Sequence, residues 1–478
     1  MSHVARRDDT LNGGAPVARL VTVSNRVALP KPAGAPGGLA VGVLAALRAS
    51  GGLWFGWNGE PDAPEGVRTE TITRDGITFA TLAVPANLFE RCYAGFANGT
   101  LWPLFHYFLD GFRYRSDEYA AYHEMNELFA RELLPLLRPD DLIWVHDYHV
   151  IPLAQKLRER GVRSRLGFFL HIPFPDYEIL RALPPHAELM RALLTYDVVG
   201  FQTEPDRHAF LGAVEMLFDR AKIAPNGIVL FEGRAVATGV YPIGVDVEAI
   251  SRSASKAWES ASVQRMRQGL LGRKLIVGVD RLDYSKGLLE RFDAYRDFLE
   301  RYPQHLGNVT YLQIAPLGRQ NVQAYTRIRQ SLEQSAGATN GRFATVDWTP
   351  IRYLNRNFPH GTLMGFLRAA HACLVTPVRD GMNLVAKEFV AAQDPEDPGV
   401  LILSKFAGAA AQLDGALIVN PFDLNALADA LVEALDMSKP ERKERWDSMI
   451  RNVCEEDVHR WRSSFIKALE EVRDTAGA

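Results

Sequence analysis

The sequence predicts an α/β chain of two doubly wound domains, parallel sheets with helices on both faces, set about a deep cleft. Three observations predict it. At 478 residues the chain is too long for one hydrophobic core. From Leu142 to Leu217 short apolar runs alternate with amphipathic stretches, each run ending in polar residues. The rhythm resets at Gly239–Asp246 (GVYPIGVD) and resumes at Leu275, the same plan without a sequence repeat. Strand–helix repetition of this kind calls for parallel sheets, whose ligand groups gather at the carboxyl ends of the strands.

The elements follow in order. Residues 1–16 are polar and without period and read as a disordered lead. Val17–Val23 is the first strand, stopped at Ser24-Asn25-Arg26. A Pro/Gly/Ala loop (Ala28–Pro36) then leads through Gly37-Gly38 into a small-residue helix ending near Ser50. Trp54–Glu60 and Thr71–Val84 read as hairpin-like strands. Asn87–Tyr107 is dense in aromatics and poorly periodic. Such density usually means core, yet Tyr93 and Trp102 are also the side chains that hold a sugar face. A helix spans Asp117–Leu137. Strands at Leu142–Val145, Arg165–Leu170 and Val198–Gln202 each feed a helix: Val150–Arg160, Tyr177–Leu194 and Pro205–Leu217. The second half places strands at Leu275–Val279, Val309–Ala315, Ala372–Thr376, Val400–Leu403 and Leu417–Asn420. Helices follow at Leu288–Arg301, up to about Gln334, from Met382 or Asn383, and after Asp423. A last helix, Val458–Val472, is long enough to cross back to the first half.

Composition narrows the partners. The chain is 47% apolar and 23% charged, ordinary for a soluble globular protein, and its net charge of −3 argues against nucleic-acid binding. Cys92, Cys373 and Cys454 have neither disulfide nor zinc spacing. His146 and His149 lack a third ligand, and the HEMNE run at His123 is not H-E-x-x-H, so no metal is expected. No apolar run is long enough to span a bilayer and no signal peptide is visible, which predicts a cytoplasmic protein.

Chemistry gathers after the strands. Asp147 and His171 each follow a strand of the first half. In the second half Arg281 and Lys286 share one post-strand loop, and Arg319 holds the equivalent position after the next strand. Beside the helix that opens after Arg379-Asp380-Gly381, whose first N–H groups have no partner, two cations suit a diphosphate. Arg26 and Arg319 suit a second, phosphorylated ligand. The bland alternative is a set of surface ion pairs, with Asp380 as an N-cap and Glu388 as a solvated helix residue. The G-x-G-x-x-G and G-x-x-x-x-G-K fingerprints are absent, against a dehydrogenase and an ordinary ATPase.

SNRVALPKPAGAPGGLAVG, LWPLFHY, WVHDYHVIPLA, GFFLHIPFP, GFQTEPDRHAFL, YPIGVD, DRLDYSKGLLERF, QIAP, TPVRDGMNLVAKEFVAAQ and SKFAGAA run in order from about Leu20 to Phe422. They resemble the trehalose-6-phosphate synthase family, retaining glucosyltransferases of the GT-B architecture. The resemblance implies two Rossmann-like domains, with a first, acceptor-binding domain over 17–240 and a second, nucleotide-sugar domain over 241–455. Residues 456–478 would pack back on the first. It implies transfer of glucose from a nucleotide sugar, typically UDP-glucose, to glucose 6-phosphate, with no cofactor or metal.

Matched position by position, Gly37 and Gly38 lie against the nucleotide sugar, Arg281 and Lys286 on the diphosphate, and Phe358 near the base. Leu384, Val385, Ala386, Lys387 and Glu388 hold ribose and diphosphate, with Glu388 the ribose ligand. Arg26, Tyr93, Asp147 and Arg319 form the acceptor site, both arginines on its phosphate, and Trp102 is similar to an aromatic of that pocket. His171 and Asp380 contact the donor glucose at the reacting end, Asp380 positioning it rather than attacking carbon. The resemblance also implies a homodimer or homotetramer. With no D-x-D-x-T/V signature before Ala478, it implies a separate trehalose-6-phosphate phosphatase downstream. The Pro/Ala-rich loop after Arg26 and the Phe210–Gly239 insert depart from the family pattern. Two other readings stand beside this one: a related transferase using glycerol 3-phosphate or a cyclitol phosphate, and a non-catalytic sugar-nucleotide-binding regulator.

Overall fold

The computed structural model describes residues 18–29, 42–44, 47–48, 51–60, 69–318 and 323–472. Its strands form two sheets. The first holds β1 (Leu20–Arg26), β2 (Gly52–Trp57), β3 (Thr69–Arg74), β4 (Ile77–Leu82), β5 (Leu142–His146), β6 (Arg165–Phe169), β7 (Val198–Phe201), β8 (Lys222–Ile223), β9 (Val229–Phe231) and β10 (Arg234–Val240). Their order is β3-β4-β2-β1-β5-β6-β7-β10-β9-β8. The second holds β11 (Lys274–Val279), β12 (Val309–Ile314), β13 (Ile351–Leu354), β14 (Ala372–Val375), β15 (Val400–Ser404) and β16 (Leu417–Val419), in the order β13-β12-β11-β14-β15-β16. Every pairing in the second sheet is parallel. Central strands such as LIWVH and VTYLQI are buried along their whole length, the pattern of a sheet covered on both faces.

Several local expectations change. The segments at 54–60 and 71–84 are not partners in a hairpin: β2 pairs parallel with β4, and the hairpin lies inside the second segment, between β3 and β4. Its turn is Asp75-Gly76, both at positive φ (50° and 75°), as a two-residue hairpin turn requires. The helix expected over Tyr177–Leu194 is two, Tyr177–Leu180 and His186–Leu193, because Pro184-Pro185 removes backbone donors at its middle. Elsewhere the first strand runs on through Arg26, and the helix expected to end near Gln334 extends to Phe343. The Phe210–Gly239 insert holds the end of the helix Glu204–Leu217, then β8, β9 and most of β10, with β10 joining β7 in parallel. The poorly periodic Asn87–Tyr107 segment is helical, but residues Glu90–Leu101 form a π-helix. Its wider turn explains why no 3.6-residue period was legible.

The last helix, Val458–Glu471, crosses back as expected. Trp461 and Phe465 are buried against Trp144 of β5, the Phe465 ring stacked at 4.7 Å and 14°. Gly167 on β6 and Gly200 on β7 make room: a Cβ there would lie 2.7 and 2.8 Å from the Phe465 ring. One apolar cluster therefore runs from Trp54, Trp144 and Phe169 of the first sheet through Trp461 and Phe465 to Val277, Leu312 and Phe389 of the second half. Burying two aromatics there contributes several kcal/mol, since truncating one such ring costs about 3–5 kcal/mol. Among the described residues no helix is long and apolar enough to cross a membrane.

Candidate active site

The lobes meet where β14 ends. After Val375 the chain passes through Asp380 and Gly381 and enters the helix Leu384–Ala392. Asp380 is not this helix's N-cap. Asn383 holds that position, at φ 74°, and no side-chain cap bond is made to the first helical N–H groups. Asp380 instead receives Lys286 Nζ at 2.5 Å and Asn383 Nδ2 at 3.0 Å, the Lys and Asp side chains only 14% and 13% exposed. Gly381 packs against the carbonyl of His171 from the other lobe. A Cβ on it would strike that oxygen and come within 3.0 Å of the His171 carbonyl carbon and the Ile172 Cα.

His171 has both ring nitrogens engaged. Gln202 Oε1 accepts the Ile243 N–H at 3.0 Å, which orients its amide so that Nε2 donates to His171 Nδ1 at 3.4 Å. The His171 Nε2–H then donates to His146 Nδ1 at 3.1 Å. Burial holds His171 neutral, its pKa pushed down to about 3, and His146 lies well below its ordinary value through burial and the neighbouring imidazole. Asp147 stands beside them at φ 76°, its Oδ1 accepting the His171 backbone N–H at 3.3 Å.

The other predicted residues fall into three groups. Arg281 pairs with buried Asp283 at 3.3 Å and lies 5.2 Å from the Trp102 ring, so a second-lobe cation meets a first-lobe aromatic. Two further contacts cross the same line: Arg379 lies 3.6 Å from the Tyr107 ring, and Tyr284 stacks on Phe108 at 4.4 Å. Arg26 and Tyr93 gather around Trp57, at 5.7 and 6.3 Å from its ring, and Tyr93 stacks on His149 at 5.6 Å. Glu388 holds His360 Nε2 at 3.4 Å, and this hydrogen bond raises the His360 pKa. Phe358 lines a groove of about 590 Å³ beneath β13 with Met266, Leu312 and Phe366. Leu384 and Val385 are partly exposed, whereas Ala386 and Lys387 are buried, and Lys387 Nζ donates to Ile243 O at 2.7 Å. Gly37, Gly38 and Arg319 lie outside the described residues.

Sequence reasoning missed Trp57, Asn383, Gln202 and His360. Trp57 ends β2 directly opposite Arg26 in the register and was legible as a strand-end aromatic. The others act through partners far along the chain, which no local pattern reveals. Equally silent was Arg291, fully buried and bound to Asp280, Thr376 Oγ1 and the Lys286 carbonyl, which anchors the Arg281–Lys286 loop. Among the described residues no group of three or more His, Cys, Asp or Glu is arranged to hold a metal ion.

The model of glycosyltransferase family 20 matches residues 27–471. The chain belongs to glycosyltransferase family 20. Among family 20 relatives, the trehalose-6-phosphate synthase of Klebsiella pneumoniae is 48% identical over 459 residues, covering 95% of this chain and 96% of that protein. That of Salmonella arizonae is 49% identical over 456 residues, with the same coverage. Two solved family 20 structures are similar throughout. The UDP-forming α,α-trehalose-phosphate synthase of Burkholderia xenovorans, in complex with glucose-6-phosphate, superposes with a TM-score of 0.92 at 48% identity, covering 95% of this chain and all of that one. The E. coli trehalose-6-phosphate protein bound with UDP-2-fluoro glucose gives 0.91 at 46% identity, with equal coverage. The expected GT-B architecture is therefore the architecture of this family 20 chain.

Proposed function

We propose that this chain transfers glucose, with retention, from UDP-glucose to glucose 6-phosphate, giving α,α-trehalose 6-phosphate and UDP. The observation that carries the reading is the junction at Gly381. There Lys286, Asp380 and an uncapped helix N-terminus of one lobe meet His171 and Asp147 of the other, in a chain similar from end to end to synthases of this reaction.

In this reading the donor's diphosphate lies over the first amides of the Leu384–Ala392 helix, with Arg281 and Lys286 neutralising it. These groups are in place before reaction and stabilise the negative charge that grows on the leaving phosphate. Asp380 keeps Lys286 oriented and faces the sugar's hydroxyls. The C1–O bond to phosphate breaks, C1 passes through an oxocarbenium-like ion pair, and the acceptor hydroxyl bonds to the same face. Its proton goes to the departing phosphate oxygen, so no enzymic nucleophile or metal takes part. Glu388, oriented by His360, holds the ribose, and Phe358 lies by the base. Because the Lys387 side chain points away from the cleft, its part in donor binding is confined to backbone. Donor contact through His171 Nε2 exchanges the bond to His146 for one to a sugar hydroxyl.

On the acceptor side Arg26 and Arg319 take the 6-phosphate, while Trp57, Tyr93, Trp102 and Asp147 surround the sugar. Gly37 and Gly38 take the place of the family's glycine pair against the nucleotide sugar. The same reading divides the chain near residue 241, with return at 456, and includes assembly as a homodimer or homotetramer and a separate phosphatase downstream. The test is UDP release from UDP-glucose with glucose 6-phosphate, with no acceptor, and with glycerol 3-phosphate. The reading expects rapid release in the first case alone, and equal rates with glycerol 3-phosphate sink it.

A further inference from the structure

Lys387 is 0% exposed, and no carboxylate among the described residues lies within ion-pair distance of it. A buried ammonium is costly and needs a strong partner. Its partner is a peptide carbonyl, Ile243 O at 2.7 Å, in the segment where the chain crosses between lobes. The same residue is held from the opposite side, since the Ile243 N–H donates to Gln202 Oε1 at 3.0 Å and Gln202 is itself 2% exposed. The next residue has no freedom either. A Cβ on Gly244 would collide with the backbone of Glu456 and Asp457, and Val458 N–H donates to Val245 O at 3.3 Å. Both crossings thus touch at Ile243–Val245, and Lys387 grips them from the helix that carries Leu384 and Glu388. Gln202 carries the connection on to His171 Nδ1.

We propose that Lys387 is a positioning residue: with Gln202 it clamps the inter-lobe crossing at Ile243 and so fixes the donor-side helix in register with His171. The proposal rests on the transferase reading above but assigns Lys387 a role away from the substrate. Burial draws the Lys387 pKa down to about 7, against the opposing pull of the Glu456 carboxylate. Closure of a two-lobed enzyme is absorbed by a few residues at such crossings.

The test uses the full chain with Lys387→Met, Gln202→Met and the double variant. Replacing a buried charge by an apolar side chain of similar length is commonly tolerated, so K387M is expected to melt within a few degrees of wild type. Its amides over 241–246 should exchange with deuterium at least tenfold faster. Its kcat for UDP release should fall at least tenfold, while the Kd for UDP stays within threefold. A merely structural lysine would lower Tm and leave kcat intact. Q202M should reproduce the exchange and kcat effects, and the double variant should lose no more than the worse single change, because both act on one clamp. Unchanged exchange in K387M overturns the proposal, as do losses that multiply in the double variant. If K387M does not fold, Q202M carries the exchange test alone, and unchanged protection over 241–246 overturns the clamp. An inactive wild type would refute the transferase reading, while the exchange measurement, which needs no substrate, still decides the clamp.

Discussion

Gly381→Ala is the sharpest perturbation the site offers. Gly381 does not have a left-handed φ, so the demand for glycine is steric rather than conformational. The added methyl meets the His171 carbonyl and the Ile172 Cα, all backbone atoms that cannot rotate aside. Restoring ordinary contact requires the lobes to separate locally by about 1 Å, and overpacking of this kind costs about 1–3 kcal/mol. The separation falls between Asp380, adjacent in the chain, and His171, the groups proposed to share the donor sugar. A misplacement of about 1 Å in a reacting geometry lowers rate on the order of 100-fold. The proposed UDP-binding residues Leu384 and Glu388 lie on one helix within one lobe and are spared. The expected outcome is a kcat for UDP release down about 100-fold, a Kd for UDP within threefold of wild type by calorimetry, and a modest drop in Tm. A G381A enzyme with wild-type kcat would refute the claim that catalysis depends on this contact.

Three further outcomes follow from the same geometry. Arg281→Ala removes a partly exposed cation, so Tm should barely move. Turnover should fall about 100- to 1,000-fold if the cation stabilises the leaving diphosphate, and normal transfer rates would sink that assignment. Phe465→Ala empties the seat on Gly167 and Gly200 and should cost about 3–5 kcal/mol in denaturant unfolding; a loss below 1 kcal/mol would mean the C-terminal helix does not staple the lobes. The folded pKa values of His171 and His146 lie below the unfolded value near 6.5, so the unfolded state binds more protons as pH falls. Their stabilisation is complete above about pH 6.5 and is lost as pH falls from there, for His171 down towards pH 3. By pH 5 this amounts to about 2 kcal/mol for His171, with His146 adding in the same direction, and unfolding curves that do not shift between pH 7 and 5 would contradict the buried neutral pair.

The architecture was legible because parallel sheets covered on both faces demand continuous apolar strands, and LIWVH, VTYLQI and ACLV are just that. The candidate site residues that follow such strands, among them Asp147, His171, Arg281 and Asp380, were placed for the same reason. What escaped was set by tertiary packing. Lys387 reads as part of a ligand-binding run, but helix periodicity turns its side chain about a quarter of the way round from Glu388, into the crossing at Ile243. The role of Asn383 depends on a positive φ, and that of Gln202 on a peptide 41 residues away. The π-helical stretch defeated a period search built on 3.6 residues per turn. A double proline divided the helix expected over 177–194, a boundary that the sequence does display.

Glucosyl transfer with retention across the Gly381 junction is decided by the product formed from UDP-glucose and glucose 6-phosphate. Proton NMR of the isolated disaccharide phosphate should show two α-anomeric protons, no reducing end and one UDP formed per disaccharide. A β-linked glucosyl proton, or free glucose formed at the rate of UDP release, would contradict it.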